Sequence, residues 1–156
     1  MKRKLVLVAA LATLAVPALA QQAEVTRGRY VAIIGGCNDC HTQDYPQKGG
    51  QVPESEWLLG GQVGFRGPWG TTYATNLRLR LNEMSETQWV AFAKKLQTRP
   101  PMPWFNLNKM ADGDLRAFYR YAKSLSPAGK PAPAFVPPSA EPKTPFIVFV
   151  PQPPKK

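Results

Sequence analysis

The feature that most constrains this chain is a run of five residues that holds both of its cysteines and its single histidine. The run is Cys37-Asn38-Asp39-Cys40-His41. Two cysteines cannot make a disulfide-rich scaffold, and a structural zinc site would need two further Cys or His ligands. A thioredoxin-like dithiol would need a surrounding βαβ pattern, which the sequence does not show. A disulfide within the run would close a strained small loop with no evident purpose.

The spacing of the run is C-x-x-C-H, which is typical of covalent c-type haem attachment. Two thiols three positions apart at the end of a helix can add to the two vinyl groups of one porphyrin. The adjacent imidazole can then reach the iron on the proximal side. The sequence therefore predicts one haem c, bound covalently through Cys37 and Cys40 and ligated by His41.

The second axial position of the iron requires another residue type, because the chain has no other histidine. A methionine thioether is the usual alternative in cytochromes c. Met84 and Met110 each precede a predicted helix, where a packing role is ordinary. Met102 lies in residues 99–104 (RPPMPW), where three prolines restrict the backbone. A stiff segment suits a ligand that must stay at the iron, so Met102 is the predicted distal ligand; the alternative is a buried loop methionine.

The first twenty residues have the form of a secretory signal peptide. Residues 2–4 are basic, residues 5–16 are apolar apart from Thr13, and residues 18–20 (ALA) give a small-x-small cleavage pattern. Cleavage there would make Gln21 the first mature residue and lower the formal charge from +10 to +7. For a bacterial-style signal the destination is the periplasm. An uncleaved anchor helix is the alternative, although its apolar part is short, and no later run is long enough to span a bilayer.

The remaining chain is long enough for one domain followed by a tail of different composition. Periodicity and end signals predict helices over about 22–36, 86–98 and 112–125, the second with a Ser85/Gln88 capping box. Residues 42–82 are rich in Gly, Pro and aromatics and predict a long structured loop. Residues 126–156 hold ten of the 17 prolines and predict an extended tail, in which the apolar run 146–150 packs on the domain or on a partner.

From residue 24 to 125 the chain resembles the class I cytochromes c. More narrowly, it is similar to the haem domains that accompany bacterial periplasmic dehydrogenases of alcohols, aldehydes and related substrates. The motifs that carry the resemblance are residues 27–30 (RGRY), 37–42 (CNDCHT), 69–76 (WGTTYATN), 101–103 (PMP), 114–115 (DL) and 119–121 (YRY).

The resemblance implies a small all-α fold with about three main helices and long loops around one covalent haem. The cytochrome c domain would then cover residues 21–125, with residues 126–156 as a proline-rich extension. The resemblance also implies that the proline-flanked Met102 is the distal ligand. Trp69, Tyr73 and Asn76 are expected to line the haem or to bond its propionates.

Several other residues carry expectations of their own. Arg66, Arg78 and Arg80 are expected to be solvated loop charges, with neutralisation of the propionates as the alternative. Tyr30 is expected in the core between the crossing first and last helices. Gly28 would allow the backbones of these two helices to approach closely.

A haem with both axial positions filled has no open site for a substrate, so the predicted activity is one-electron transfer rather than catalysis. The expected partners are redox proteins, such as a periplasmic dehydrogenase and a downstream oxidase or cytochrome, and the positive charge would favour acidic partner surfaces. Nucleic-acid binding is not expected of an exported protein with dispersed charges. The alternative is a haem enzyme or ligand-binding sensor with an open or displaceable distal position.

Overall fold

The computed structural model describes residues 19–151 and residue 154, so the predicted signal peptide lies almost wholly outside the described residues. Over this part, the chain forms six α-helices, one short 3₁₀ turn and a three-stranded sheet. The helices are α1 (19–34), α2 (Cys37–His41), α3 (Leu77–Asn82), α4 (Glu86–Lys95), α5 (Trp104–Lys109) and α6 (Asp112–Ser124). The 3₁₀ turn is Glu54–Glu56, and the strands are β1 (Gly64–Gly67), β2 (Gly70–Thr72) and β3 (Phe146–Val148). Within the described residues, no helix combines the length and apolarity that crossing a bilayer requires.

The core lies where α4 packs against α6 and where α6 crosses α1. Both α4 and α6 are amphipathic, and Trp89 joins them because its indole N–H donates a 2.8 Å hydrogen bond to the Leu115 carbonyl. The predicted capping box at the start of α4 is confirmed, since Ser85 and Gln88 bond each other's backbone N–H groups. The helix ends at Lys95, three residues earlier than predicted.

The crossing of α1 and α6 depends on a glycine. A Cβ placed on Gly28 would lie 2.0 Å from the Ala117 carbonyl oxygen and 2.6 Å from the Tyr121 Cβ. The predicted close approach is therefore confirmed. The prediction for Tyr30 is wrong, because this side chain is 49% exposed and lies beneath the Arg27 guanidinium. Two residues along a helix turn the side chain by roughly 200°, which points Tyr30 away from the crossing.

The prediction of an all-α fold is wrong in one region, which holds a small sheet. β1 and β2 form an antiparallel hairpin whose last pair is Gly67 and Gly70, so Pro68 and Trp69 occupy the turn. β3, from the proline-rich tail, pairs parallel with β1 on its other side. The tail segment 146–150 thus packs on the domain, because an apolar, β-prone run meets an unpaired strand edge. A parallel pairing of two segments so distant in sequence leaves no local signal to predict it.

Arg78 is the clearest departure from the sequence expectations. Its side chain is buried rather than solvated, and the residue is 4% exposed. The guanidinium donates hydrogen bonds of 2.7–3.1 Å to four backbone carbonyls, which belong to Glu54, Ser55, Trp57 and Leu125. Burial lowers the pKa of Arg78 from its ordinary value. The Arg78 side chain therefore links the 3₁₀ turn, α3 and the end of α6 through hydrogen bonds.

The carboxylate of Glu54 lies near the Arg78 side chain. Glu54 accepts hydrogen bonds from Arg29 Nε at 2.9 Å and from the Tyr121 hydroxyl at 2.8 Å. We refer to Arg29, Glu54, Arg78 and Tyr121 together as the Arg78 cluster. Its members come from α1, the 3₁₀ turn, α3 and α6, so the cluster joins four elements on the side of the core that holds Trp57.

Candidate functional site

A cavity of about 640 Å³ lies between the end of α1, α2, the β1–β2 hairpin, α4 and the loop before α5. This volume falls within the range of about 300–1,000 Å³ that is usual for cofactor sites. Most of the wall is apolar, with Phe65, Trp89, Phe92 and Phe118 among its members. Five of the seven predicted site residues line it: Cys37, Cys40, His41, Tyr73 and Met102. Residues from three distant parts of the chain therefore meet at one site.

The helix α2 places the C-x-x-C-H motif in the wall. Gly36 lies between α1 and α2 and has φ 66°, a left-handed conformation that a glycine adopts without strain. In the single helical stretch that follows, Cys37, Cys40 and His41 occupy positions i, i+3 and i+4. These positions share one helix face, so both thiols and the imidazole meet the cavity together.

The tautomer of His41 is fixed by the backbone. His41 Nδ1 lies 2.7 Å from the Thr75 carbonyl oxygen, which can only accept, so Nδ1 carries the proton. The lone pair is then on Nε2. Burial lowers the pKa of His41, an effect that the bond to Thr75 partly opposes, and the ring is neutral near pH 7. A neutral imidazole with one N–H held by a carbonyl is the usual form of a metal-ligating histidine.

The two cysteines are free thiols. Burial raises the pKa of Cys37 to about 12, and burial with the nearby Asp39 carboxylate raises the pKa of Cys40. A reactive redox dithiol has the opposite property, a lowered pKa. The environment of these thiols is that of an apolar wall.

The structure brings two methionines to the cavity rather than one. Met102 and its neighbours Pro101 and Pro103 line the wall, as does Met110. Met110 and Met84 also pack against the hydrophobic core, in agreement with their predicted roles. The contact of Met110 with the cavity was not predicted from the sequence. A residue just before a helix can contact the core and a cavity at once, and the sequence alone does not show the second contact.

Tyr73, Trp69 and Asn76 have different positions. Tyr73 lines the cavity, and its hydroxyl lies 2.7 Å from Thr144 Oγ1. Trp69 lies in the hairpin turn, 6.5 Å from the Phe149 ring between centroids. Its indole N–H is buried without a hydrogen-bond partner among the described residues.

Asn76 is buried as a helix cap. Its Oδ1 accepts from the Leu79 N–H at 3.1 Å, and its Nδ2 donates to the carbonyls of Ala128 and Lys130. These bonds use the amide group within the protein. Of the three residues that the resemblance suggested, the structure thus brings Tyr73 to the cavity wall, whereas Trp69 and Asn76 lie outside it.

Two arginines contribute positive charge to the wall, Arg80 and Arg99. The Arg80 guanidinium lies 5.2 Å from the centre of the Phe92 ring and 3.1 Å from the Glu83 carboxylate. Arg66, by contrast, bonds the Ala140 carbonyl and Glu141 in the tail. The place of Arg99 at the site was not predicted, although its position two residues before Pro101-Met102 was a usable signal.

Together these residues fit a haem. The wall is largely apolar, as a porphyrin requires, and two thiols lie beside a neutral imidazole on one helix face. A thioether is available from Met102, and the two arginines could face the carboxylates of such a group. The fit rests on the donor set and on the fixed tautomer of His41.

The chain is similar in sequence to parts of two larger proteins. It is 28% identical, over 128 residues, to the fructose dehydrogenase cytochrome subunit of Gluconobacter japonicus; the match covers 75% of this chain and 24% of that protein. It is 29% identical, over 123 residues, to a nicotinate dehydrogenase subunit of Pseudomonas putida; the match covers 72% of this chain and 9% of that protein. The chain therefore spans less than a quarter of either relative's length. No protein-family model and no solved structure matches the chain.

These relatives agree with one of the predictions made from the sequence. Both are named as subunits of dehydrogenases, and one is named a cytochrome. The similarity to haem domains of dehydrogenases is supported at that level, by distant homology.

Proposed function

We propose that this chain is an exported, periplasmic c-type cytochrome that transfers electrons as the haem subunit or partner of a dehydrogenase. One haem would be bound through Cys37 and Cys40, with His41 and Met102 as axial ligands. The observation that carries the proposal is the convergence of these four residues on one apolar cavity, with His41 Nε2 left as the ligating atom. The C-x-x-C-H spacing supports covalent attachment, and residues 1–20 support export.

The haem would supply a one-electron Fe(III)/Fe(II) couple. The residues of the chain set the conditions for that couple. Thr75 holds the His41 ring in one orientation, the two cysteines anchor α2 to the group, and Met102 offers a soft sulfur donor that favours the reduced iron. The apolar wall also disfavours additional positive charge, whereas Arg80 and Arg99 would offset the charge of carboxylates.

The dehydrogenase partner is supported by the names of the two relatives and by the charge of the chain. The formal net charge is +10 for the full sequence and would be +7 after removal of residues 1–20. Such a charge steers association towards acidic surfaces and makes the rate depend on salt. Weak, transient interfaces are usual for redox encounters.

The first experiment is an optical spectrum of the protein exported by a host with cytochrome c maturation. Covalent attachment predicts that reduced α and β bands survive acid–acetone extraction. Methionine ligation predicts a far-red sulfur-to-iron charge-transfer band in the ferric protein. Met102→Ala should abolish this band and allow the reduced protein to bind carbon monoxide.

Met110→Ala is the matched control, because Met110 lines the same cavity, and Met84→Ala is a second control from the core. Both should retain the band. Loss of the band in Met110→Ala alone would transfer the distal role to Met110. A wild-type protein with covalent haem but no such band would favour the enzyme or sensor alternative, and absence of haem would overturn the proposal.

The partner is tested by mixing the purified ferric protein with a periplasmic extract of the source organism. Fructose, nicotinate and simple alcohols or aldehydes are added separately, and reduction is followed at the α band. A substrate-dependent reduction whose rate falls as salt rises would support the proposal. Equal rates with and without every substrate would contradict the dehydrogenase role.

A further inference from the structure

The proline-rich tail is attached along the hairpin wall of the cavity. Thr71 and Val136 exchange two backbone hydrogen bonds, of 2.8 and 3.0 Å, and β3 continues the attachment along β1. Between these points Thr144 meets the hydroxyl of Tyr73, which lines the cavity. The tail is therefore part of the structure that encloses the site.

Phe135 extends this attachment to the loop that carries Met102. Its ring lies 3.9 Å from the Arg99 guanidinium carbon, measured to the ring centroid. The ring also packs on Gly70, where an added Cβ would lie 2.8 Å from a Phe135 ring carbon and 2.5 Å from the Val136 carbonyl oxygen. Gly70 also has φ 99°, so a glycine is required there. Phe135 thus contacts both the hairpin and Arg99.

The loop needs such contacts because its own structure is irregular. Residues 97–100 are exposed and belong to no helix or strand. A second contact reaches the next residue, since Thr72 Oγ1 donates a 2.9 Å hydrogen bond to the Pro100 carbonyl. Two adjacent loop residues are thus held to the hairpin side just before Met102.

We propose that Phe135 is a positioning residue, which holds the loop over residues 97–103 against the cavity and keeps Met102 at the iron. The statement about the iron rests on the proposed function; the statement about the loop does not. Arg99 is the contact through which Phe135 acts, and the tail is the element that fixes Phe135 in place.

The test compares Phe135→Leu with Phe149→Leu in the haem-loaded, full-length protein. The two aromatics are matched, at 39% and 42% exposure, and both belong to the tail. Phe149 instead contacts Phe65 and Trp69. Loss of one exposed cation–π contact should accelerate hydrogen exchange about two- to fivefold in Phe135→Leu at the end of the loop, where the Trp104 and Asn106 N–H groups bond the Met102 and Pro103 carbonyls. The same variant should lose part of the far-red band and bind more carbon monoxide when reduced.

Unchanged exchange in the loop, or equal acceleration in both variants, would overturn the inference. The double variant Phe135→Leu/Arg99→Met should be no faster than Arg99→Met alone, because the two residues act through one contact; additive effects would also overturn it. Hydrogen exchange that is faster in Phe135→Leu but not in Phe149→Leu, in a protein whose wild type lacks the far-red band, would support the positioning of the loop by Phe135. The same result would refute Met102 as the ligand. Failure of the inference and failure of the proposed function therefore give different results.

Discussion

The Arg78 cluster and the cavity both bury polar groups, but they satisfy them in different ways. In the cluster, the Arg78 guanidinium and the Glu54 carboxylate find their partners within the protein. In the cavity, His41 has one ring nitrogen bonded and the other free to ligate, and the thiols of Cys37 and Cys40 have no disulfide. One imidazole nitrogen and two thiols that face the same apolar cavity form a donor set, and this convergence indicates a ligand. The cluster, whose groups are paired internally, has a structural role.

The contrast is sharpest within α3, where Arg78 and Arg80 lie two residues apart. Two residues turn a helix by roughly 200°, so the side chains leave on opposite faces. The Arg78 guanidinium bonds the four backbone carbonyls described above, whereas the Arg80 side chain lines the cavity. Identical residue types in one short helix thus have unrelated roles.

The largest expected effect comes from removing the thiols. Cys37→Ala with Cys40→Ala should abolish haem retention after acid–acetone extraction, because no sulfur remains to form a thioether bond. Asp39→Asn is the control within the same motif, since its side chain is exposed, and it should retain haem fully. Covalent haem in the double variant would show that Cys37 and Cys40 do not attach the haem. The contrast between a ligand-binding cavity and a structural cluster would then lose its main support.

The second effect separates the two arginines. Arg78→Met removes the donor from four backbone carbonyls and should lower the free energy of unfolding by about 3 kcal/mol or more. Arg80→Met removes a more exposed cation with one ion pair and should cost less than about 1 kcal/mol. Denaturant unfolding of the haem-loaded variants measures both.

The two substitutions should affect the reduction potential of the haem in the opposite order, with the larger change in Arg80→Met. A cation near the iron disfavours the ferric state, so Arg80→Met should lower the potential while Arg78→Met leaves it nearly unchanged. A larger loss of stability in Arg80→Met, or a larger potential shift in Arg78→Met, would contradict the assignment of structural and site roles.

Much of the scaffold could be predicted because its signals are local. The capping box at Ser85 and the apolar stripe of α6 predict helices that the structure contains, and Gly28 predicts the close crossing. The site motif is local too, since Cys37 to His41 lie in one helical stretch. Such patterns need no knowledge of distant partners.

The remaining features depend on contacts between distant parts of the chain. The carbonyls that bind Arg78 come from residues 54–57 and 125, and the partner of β1 comes from the tail. Neither set of contacts has a periodic signal. The contrast between Asn76 and Tyr73, one a helix cap and the other in the cavity wall, likewise depends on where the chain turns after β2.

The third effect tests the packing beside the Arg78 cluster. Gly28→Ala would place a methyl group against the Ala117 carbonyl and the Tyr121 side chain, and overpacking of this kind typically costs about 1–3 kcal/mol. Gly113→Ala is the matched control on α6, where an added Cβ meets no atom within 4 Å. It should stabilise the protein by roughly 0.5 kcal/mol, because alanine favours a helix. Thermal unfolding of both variants measures the difference, and equal midpoints would contradict the proposed crossing.

The smallest effect concerns the charge of Glu54. Burial raises the pKa of this carboxyl, but the hydrogen bonds from Arg29 and Tyr121, with the charges of Arg29 and Arg78, outweigh it and leave the pKa below its ordinary value of 4.5. A lowered folded pKa stabilises the protein above the unfolded pKa, and the contribution is lost as the pH falls through the folded pKa. Glu54→Gln should therefore be less stable than the wild type near neutral pH, by less than about 1 kcal/mol because the side chain is partly exposed. The difference should close on acidification below about pH 4.

Urea unfolding across this pH range measures that difference, and Tyr121→Phe provides an independent check. Removal of the Tyr121 hydroxyl takes away one of the two donors to the carboxylate, so the pH dependence should weaken without disappearing. A difference between Glu54→Gln and wild type that stays constant with pH would show that the carboxylate charge contributes nothing. The cluster would then be held by the carbonyl bonds of Arg78 alone, and its contrast with the cavity would rest on neutral hydrogen bonding rather than on paired charge.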